Sequence, residues 1–194
     1  MNITEYREKT KRTLPNLGFD KETQLIPIVS IEIADKLNLS HMALGLAGEI
    51  GELVNCIGTE LKNTIDKPNL IEELGDLWWY FANYCNMRNR PIPDNVKIVI
   101  ESDLALDLLL TSIADLVDLV KRFMAYNKEI DTTKELETIY NITAALTMLE
   151  ELYGISGSEI RERNINKLIV RYPNRFNDID AIDRNYKEER NTLE

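Results

Sequence analysis

Histidine and cysteine are scarce in this sequence and acidic residues outnumber basic ones, and each of these features excludes some classes of protein. There is one histidine, His41, and there are two cysteines, Cys56 and Cys85. The cysteines fit neither a zinc-binding spacing nor a disulfide framework. Because both lie in apolar runs, we predict buried thiols in a reducing compartment. The net charge of −10 argues against a surface that binds nucleic acid.

Long hydrophobic runs are missing as well. No segment approaches the ~18 consecutive apolar residues of a membrane span. The charged N-terminus MNITEYREKTKRTL lacks the apolar core of a signal peptide. We therefore expect a cytoplasmic protein with no membrane partner. A chain of 194 residues, 44% of them hydrophobic, suits one domain with a proper core, which we place at residues 1–194.

Helical periodicity is present along nearly the whole chain. Apolar residues recur at the helical spacing over residues 40–63 and along one face of residues 69–87. No convincing strand is visible. We predict an all-α fold with a four-helix bundle core made of two helical hairpins, and with appended N- and C-terminal helices. The predicted segments are a short helix at 3–13, the hairpins 40–88 and 103–153, and C-terminal helices within 156–190.

The two predicted hairpins resemble each other in length and apolar spacing. GEIGELVNCI (48–57) aligns with TSIADLVDLV (111–120), and residues 71–87 align with 139–155. The second hairpin is therefore interpreted as a degenerate repeat of the first. The alternative is that any two amphipathic hairpins would align this well.

Acidic residues occur in pairs at spacing i, i+3 on two consecutive predicted helices. The pairs are Glu49 with Glu52 and Glu73 with Asp76. This spacing projects both carboxylates of a pair side by side, so antiparallel neighbouring helices would bring all four together. At ~4 Å and an effective dielectric of ~20, each like-charge pair costs about 4 kcal/mol. The cluster therefore predicts bound cations, and all-oxygen ligands suit Mg²⁺ or Mn²⁺. The alternative is a solvated acidic face.

Two further features favour the metal site over a solvated face. Trp79 and Tyr80 follow Asp76 closely and lie away from the main apolar stripe. Gly45 lies on the same side of its helix as Glu49 and Glu52, so we expect it to clear space beside the carboxylates. Gly48 and Gly51 point elsewhere, and we predict that they serve helix packing. In the proposed repeat the four acidic positions become Ser112, Asp115, Asn141 and Ala144, so only the first hairpin would keep the site.

Four short sequence segments, taken in order along the chain, resemble the MazG-type, all-α nucleoside triphosphate pyrophosphohydrolases. They are EYREKTKRT near the N-terminus, HMALGLAGEIGELVNCI, LIEELGDLWWYFA, and NINKLIVRYPNRF at 164–176. The family pattern of E-x-x-E on one helix and E-x-x-D on the next is matched by Glu49, Glu52, Glu73 and Asp76. Residues 95–155 depart from the shortest members and are similar to the tandem arrangement of the related dimeric dUTPase-like enzymes.

The resemblance implies an enzyme that cleaves an NTP or dNTP between the α and β phosphates, giving a monophosphate and pyrophosphate with Mg²⁺ or Mn²⁺. The four acids would be the metal ligands and catalytic residues. A dNTP is the favoured substrate, in the cytoplasm of a bacterial or phage-infected cell, and a homodimer or higher homo-oligomer is expected. The alternatives are a catalytically silent helical module that binds nucleotide or protein, and a hydrolase acting on a nucleotide-like signalling molecule.

Further side chains are candidates for contacting the substrate. Lys167 and Arg171, four residues apart on one helical face, could clamp phosphates, or could be only a basic pair near a helix C-terminus. Trp79 and Tyr80 could stack on a base, or could be core residues. The weaker candidates are His41 for a base or phosphate, Asn83 for a base edge, and Lys62 for phosphate.

Overall fold

In a computed structural model of the chain, the structure is described for residues 1–20, 25–58, 66–94, 96 and 104–194. Within these ranges there is no strand, only an isolated bridge between Phe19 and Pro27. The predicted all-α class is confirmed. The helices are α1 (Ile3–Thr10), α2 (Ile31–Gly58), α3 (Lys67–Met87), α4 (Ala105–Tyr126), α5 (Thr132–Leu152), α6 (Gly157–Arg171), α7 (Asp178–Ile182) and α8 (Tyr186–Asn191).

The four long helices α2 to α5 surround the hydrophobic core. Helix α2 packs against α3 and α4, and α4 packs against α5. Side chains connect α3 to α5 across the core, since Tyr84 Oη donates to Glu135 over 2.9 Å and Trp78 Nε1 donates to Glu150 over 2.6 Å. The apolar stripes predicted from the sequence supply the core, with Leu46, Leu53, Leu74 and Leu77 fully buried. No helix in the described ranges is both long and apolar enough to cross a membrane.

Helix α2 begins at Ile31, well before the start near residue 40 that the apolar pattern predicted. Its first turns escape the pattern because Ile31 and Ile33 are exposed whereas Asn38 is buried. The Asn38 amide donates to the carbonyl of Leu17 and accepts from its N–H, each over 2.9 Å. A polar residue therefore faces inward to hold the preceding loop. The predicted end of this helix, at 63, lies outside the described residues.

Helices α1 and α6 pack on the outer side of α3, and α8 packs on α6. The close approach of α6 to α3 occurs at Gly75, where an added Cβ would lie 2.9 Å from the Cβ of Asn164. Only glycine fits at this contact without displacing a neighbour. This approach matters for function because Gly75 directly precedes Asp76, one of the four predicted metal ligands.

Candidate metal centre and adjoining pocket

Three of the four predicted acids converge. Glu49 and Glu52 come from α2 and Glu73 from α3, and one carboxylate oxygen of each lies within 4.8 Å of the others. The helical spacing and the packing of α2 against α3 produce this convergence. Over the described ranges it is the one group of acidic, histidine or cysteine side chains with the geometry to hold a metal ion.

Asp76, the fourth acid, is already held by α6. Lys167 Nζ donates to its Oδ1 over 2.7 Å and to its Oδ2 over 2.6 Å, and Asn164 Nδ2 donates to Oδ1 over 2.8 Å. The Asp76 side chain remains 20% exposed. Asp76 therefore lies near enough to Glu49 and Glu73 for its charge to raise their pKa values, but its own direct partner is an ammonium ion.

The electrostatics of the cluster favour a cation. Burial, together with the charges of Asp76, Glu52 and Glu73, raises the pKa of Glu49 to about 8, although Lys167 opposes the shift. Burial and the charges of Glu52, Asp76 and Glu72 raise the pKa of Glu73 to about 7. Protons are therefore retained where a divalent ion would otherwise balance the charge. An all-oxygen donor set of this kind fits Mg²⁺ or Mn²⁺.

Lys167 is the internal cation of the site. Its side chain is fully buried, and its ammonium group lies 3.2 Å from Glu72 as well as against Asp76. A buried charge needs such partners, because an unpaired ammonium ion would lose its hydration without compensation. The basic pair predicted on α6 is therefore divided, with Lys167 placed among the acids and Arg171 one turn further along.

Arg171 is held by the C-terminal segment. Its guanidinium donates to both oxygens of Glu189, over 3.1 and 2.5 Å. Arg184 bonds the same carboxylate over 2.6 Å and lies 3.6 Å from Glu72. Sequence reasoning missed Arg184 and Glu189, because the charged C-terminal segment carries no motif that assigns partners. It also missed Glu72 and Asn164, whose roles depend on the docking of α6 against α3.

A pocket of about 250 Å³ opens beside the carboxylates. Its wall combines acids, a cation and aromatic rings, and includes Glu49, Asp76, Arg171, His41, Trp79, Tyr80, Tyr172 and Phe176. A second pocket of about 420 Å³ shares Pro15 and Phe176 with it but is lined by none of the clustered acids. The smaller pocket is the one placed to present a ligand to the candidate metal centre.

Tyr80 and His41 form one side of this pocket. Their rings meet edge to face, with centroids 5.7 Å apart. Burial lowers the pKa of His41, and its Nδ1 is buried with no hydrogen-bond partner among the residues described. Gly45 explains how Tyr80 reaches α2, since an added Cβ would overlap the Tyr80 ring. The space predicted beside the carboxylates is thus occupied by an aromatic ring.

Gly48 and Gly51 of α2 do not pack against any of the residues that the structure describes. An added Cβ at Gly48 or Gly51 meets nothing within 4 Å among the described residues. The packing role predicted for them is therefore wrong as far as the described part of the chain is concerned. Both positions lie on the exposed face of α2.

Trp79 and Asn83 are more deeply placed than a ligand-contacting role suggests. Trp79 borders the pocket, but it is buried and its Nε1 donates to Thr13 over 3.0 Å. Asn83 is fully buried and is not part of the pocket wall; it accepts from Thr10 and donates to the Trp79 carbonyl, each over 3.1 Å. Lys62 lies outside the described residues.

The second hairpin carries no comparable cluster in the part of the chain that the structure covers. At the aligned positions Ser112 and Ala144 are buried, and Asp115 forms a surface ion pair with Lys134 at 3.3 Å. The α4–α5 pair matches the first hairpin in its packing of two long helices, but it contributes no acid to the candidate centre.

Comparison with known proteins finds a family model that matches part of the chain. No curated protein and no solved structure matches the chain. Residues 38–102 match the model of the MazG nucleotide pyrophosphohydrolase domain, and this segment contains Glu49, Glu52, Glu73 and Asp76. The predicted resemblance is therefore confirmed over α2 and α3, where the chain is similar to the MazG nucleotide pyrophosphohydrolases.

Proposed function

We propose that this protein is a Mg²⁺-dependent nucleotide pyrophosphohydrolase. It cleaves an NTP or, preferentially, a dNTP between the α and β phosphates to give a nucleoside monophosphate and pyrophosphate. The observation that carries the proposal is the convergence of Glu49, Glu52 and Glu73 beside the 250 Å³ pocket, within the segment that matches the MazG domain. The catalytically silent module stays the alternative.

The chain's own residues have distinct tasks in this proposal. Glu49, Glu52, Glu73 and Asp76 would hold the metal ion, which would supply charge neutralisation and lower the pKa of a bound water. Arg171 on the pocket wall donates charge-assisted hydrogen bonds to phosphate oxygens. Lys167 balances the acids from beneath, through its contacts with Asp76 and Glu72. A chain with a net charge of −10 needs these local cations to receive a polyanion.

The aromatic side of the pocket suits the nucleoside. Tyr80 and Tyr172 line the pocket, and the His41 Nδ1 offers a hydrogen-bonding atom that none of the described residues uses. Stacking on aromatic rings contributes roughly 1–3 kcal/mol per base. The base is therefore placed against Tyr80 and Tyr172, with the phosphates toward the carboxylates.

Residues 1–194 are proposed to act as one domain with one site per chain. The contacts of α1 and α6 with α3, and of α8 with α6, support this assignment. The cytoplasmic location and the homo-oligomeric state stay predictions from the sequence.

The test is a product-resolved assay. The purified chain is incubated with each common NTP and dNTP in ¹⁸O-labelled water with Mg²⁺, and the products are resolved by ³¹P NMR and mass spectrometry. We expect the ¹⁸O label in the nucleoside monophosphate and the release of intact pyrophosphate. Stepwise release of inorganic phosphate contradicts the proposal, and nucleotide binding without turnover favours the silent module.

A pair of variants makes the assay specific to the site. Glu73→Gln removes one acid of the cluster, whereas Glu137→Gln removes an exposed acid on α5. Loss of a residue that hydrogen-bonds a metal ligand lowers metal affinity or activity roughly 10–100-fold. Loss of a ligand itself is therefore expected to reduce turnover by at least that factor. Glu137→Gln is expected to retain wild-type turnover. Equal activity of the two variants contradicts the assignment of Glu73.

A further inference from the structure

We propose that Tyr6 of α1 is a positioning residue for the metal centre, and that it acts on Asp76 through Asn164. This inference rests on the proposed function. It assigns a task to the N-terminal helix, which lies outside the segment that matches the MazG domain. Among the described residues Tyr6 Oη makes no hydrogen bond to any of the four acids, so its action on Asp76 is transmitted by the intervening Asn164 amide.

A chain of two hydrogen bonds connects the three residues. Tyr6 Oη donates to Asn164 Oδ1 over 2.7 Å, and Asn164 Nδ2 donates to Asp76 Oδ1 over 2.8 Å. Tyr6 and Asn164 are 0% and 1% exposed, so this chain is shielded from water. The longer contact of Tyr6 Oη, 3.3 Å to the Gly75 carbonyl, runs to the residue next to Asp76.

The chemistry of the amide gives each bond a direction. An ionised carboxylate only accepts hydrogen bonds, so Asp76 requires the NH₂ end of Asn164. The oxygen end then faces the interior, where it needs a donor, and the Tyr6 hydroxyl supplies one. Without that hydroxyl a buried carbonyl oxygen loses its partner, and Asn164 is no longer held in the orientation that serves Asp76.

The neutrality of Asn164 suits a metal centre. Lys167 also holds Asp76, but its ammonium charge repels a cation bound at the cluster. An amide fixes the carboxylate without that repulsion. The contact is built into the helix packing, since Gly75 lets α6 bring Asn164 against α3. The Tyr6 hydroxyl therefore fixes the orientation of Asn164, and Gly75 leaves room for its side chain. Asn164 in turn donates a hydrogen bond to Asp76.

The chain offers a matched control for the loss of a buried tyrosine hydroxyl. Tyr84 is also fully buried, and its Oη donates to the Glu135 carboxylate over 2.9 Å. That carboxylate is paired with Arg88 and Arg90 at the contact between α3 and α5, and it is not part of the metal-binding group. Tyr84→Phe therefore removes a buried hydrogen bond without changing the relay, by which we mean the hydrogen bonds from Tyr6 through Asn164 to Asp76.

The experiment measures Mn²⁺ affinity of the nucleotide-free chain by titration with EPR detection, alongside kcat and KM. We expect Tyr6→Phe to weaken Mn²⁺ binding and lower kcat by about 10-fold, within the range for outer partners of metal ligands, with KM nearly unchanged. Tyr84→Phe is expected to keep wild-type Mn²⁺ affinity and kcat while losing stability toward urea. Wild-type values for Tyr6→Phe, or equal losses for both variants, overturn the inference.

A double-variant cycle tests whether Tyr6 acts through Asn164. Asn164→Ala alone is expected to weaken Mn²⁺ binding at least as much as Tyr6→Phe. Adding Tyr6→Phe to Asn164→Ala should then cause no further loss, because the two residues act in series. Additive losses overturn the relay. If the wild-type chain neither binds Mn²⁺ nor cleaves any nucleotide, the proposed function itself fails, which is distinguishable from failure of the relay alone.

Discussion

At the scale of single residues, the candidate site is defined by how burial changes the charge of a carboxylate. Glu49 and Glu73 have raised pKa values because burial and neighbouring acids both penalise their ionised forms. Glu49 lines the pocket, so the same residue faces both the cluster and the space where a substrate would enter. Because the pKa of Glu49 differs between the folded and unfolded chain, its ionisation changes the free energy of unfolding of the metal-free protein.

The pH dependence of this coupling follows from the direction of the shift. The pKa of Glu49 is raised from its ordinary value of 4.5 to about 8. Between these values the folded state binds the proton that the unfolded state has released, so the free energy of unfolding falls as pH rises. Above pH 8 both states are ionised and the full penalty applies.

Glu49→Gln is therefore expected to stabilise the metal-free chain more at pH 9 than at pH 5. The gain at pH 9 is on the order of 2 kcal/mol, or roughly 5 °C in Tm for a chain of this size. Thermal melts in EDTA at the two pH values measure it, with the exposed Glu137→Gln as the control. A gain that is equal at both pH values contradicts the shifted ionisation of Glu49.

At the scale of elements, the interior glycines of α2 lie in two kinds of environment. Gly45 faces the Tyr80 ring without room for a Cβ, whereas Gly48 and Gly51 face open space among the described residues. Glycine costs a helix interior about 1 kcal/mol relative to alanine, so a structural reason is present only at Gly45. The weakening of α2 at Gly45 is offset by the seat it provides for Tyr80.

Gly45→Ala and Gly48→Ala are expected to change stability in opposite directions. Gly45→Ala forces the Tyr80 ring to move against His41 and Trp79, at a cost of roughly 1–3 kcal/mol. Gly48→Ala adds helix propensity without a clash and stabilises by up to about 1 kcal/mol. Urea unfolding measures both. Stabilisation by Gly45→Ala would show that the Tyr80 ring does not pack against α2.

Helix α6 brings cations and an amide to the acids of α3. Asn164, Lys167 and Arg171 recur at spacings of three and four residues, so they share one face of the helix. That shared face was predictable for Lys167 and Arg171 from their spacing. Their different environments were not, because burial of Lys167 depends on how closely α6 approaches α3 at Gly75.

At the scale of the whole molecule, the C-terminal segment is tied to the site by Glu189. Burial alone would raise the pKa of Glu189, but hydrogen bonds from Arg171 and Arg184 outweigh it and lower that pKa to about 2. The unfolded value is 4.5, so Glu189 contributes stability above pH 4.5 that is lost as pH falls toward 2. The ion pair between Arg171 and Glu189 therefore holds α8 against α6.

Glu189→Gln is accordingly expected to destabilise the chain at pH 7, by on the order of 2–3 kcal/mol. The difference from wild type should shrink as pH falls below 4.5, since wild-type Glu189 then loses its advantage. Urea unfolding at pH 7 and pH 3 measures this, with the exposed neighbour Glu188→Gln as the control. An undiminished difference at pH 3 contradicts the role of the charge.

The sequence by itself determined the helical class and the pairing of the acids. Both follow from a local rule, because a period of 3.6 residues aligns apolar residues into stripes and places Glu49 beside Glu52. Two of the four segments that resemble the MazG family lie on these two acid-bearing helices. The start of α2 could not be predicted from this periodicity, because Asn38 is a polar residue that faces inward and hydrogen-bonds the loop at Leu17.

Only the tertiary structure decided which partners the site residues have. Tyr6 meets Asn164, and Arg171 meets Glu189, through the docking of α1, α6 and α8, and no spacing along the chain encodes these contacts. Asn83 was a candidate for contacting a base edge but is buried between Thr10 and Trp79 for the same reason. Helical periodicity is set by the backbone within a few residues, whereas the choice of packed faces depends on side chains far apart in sequence.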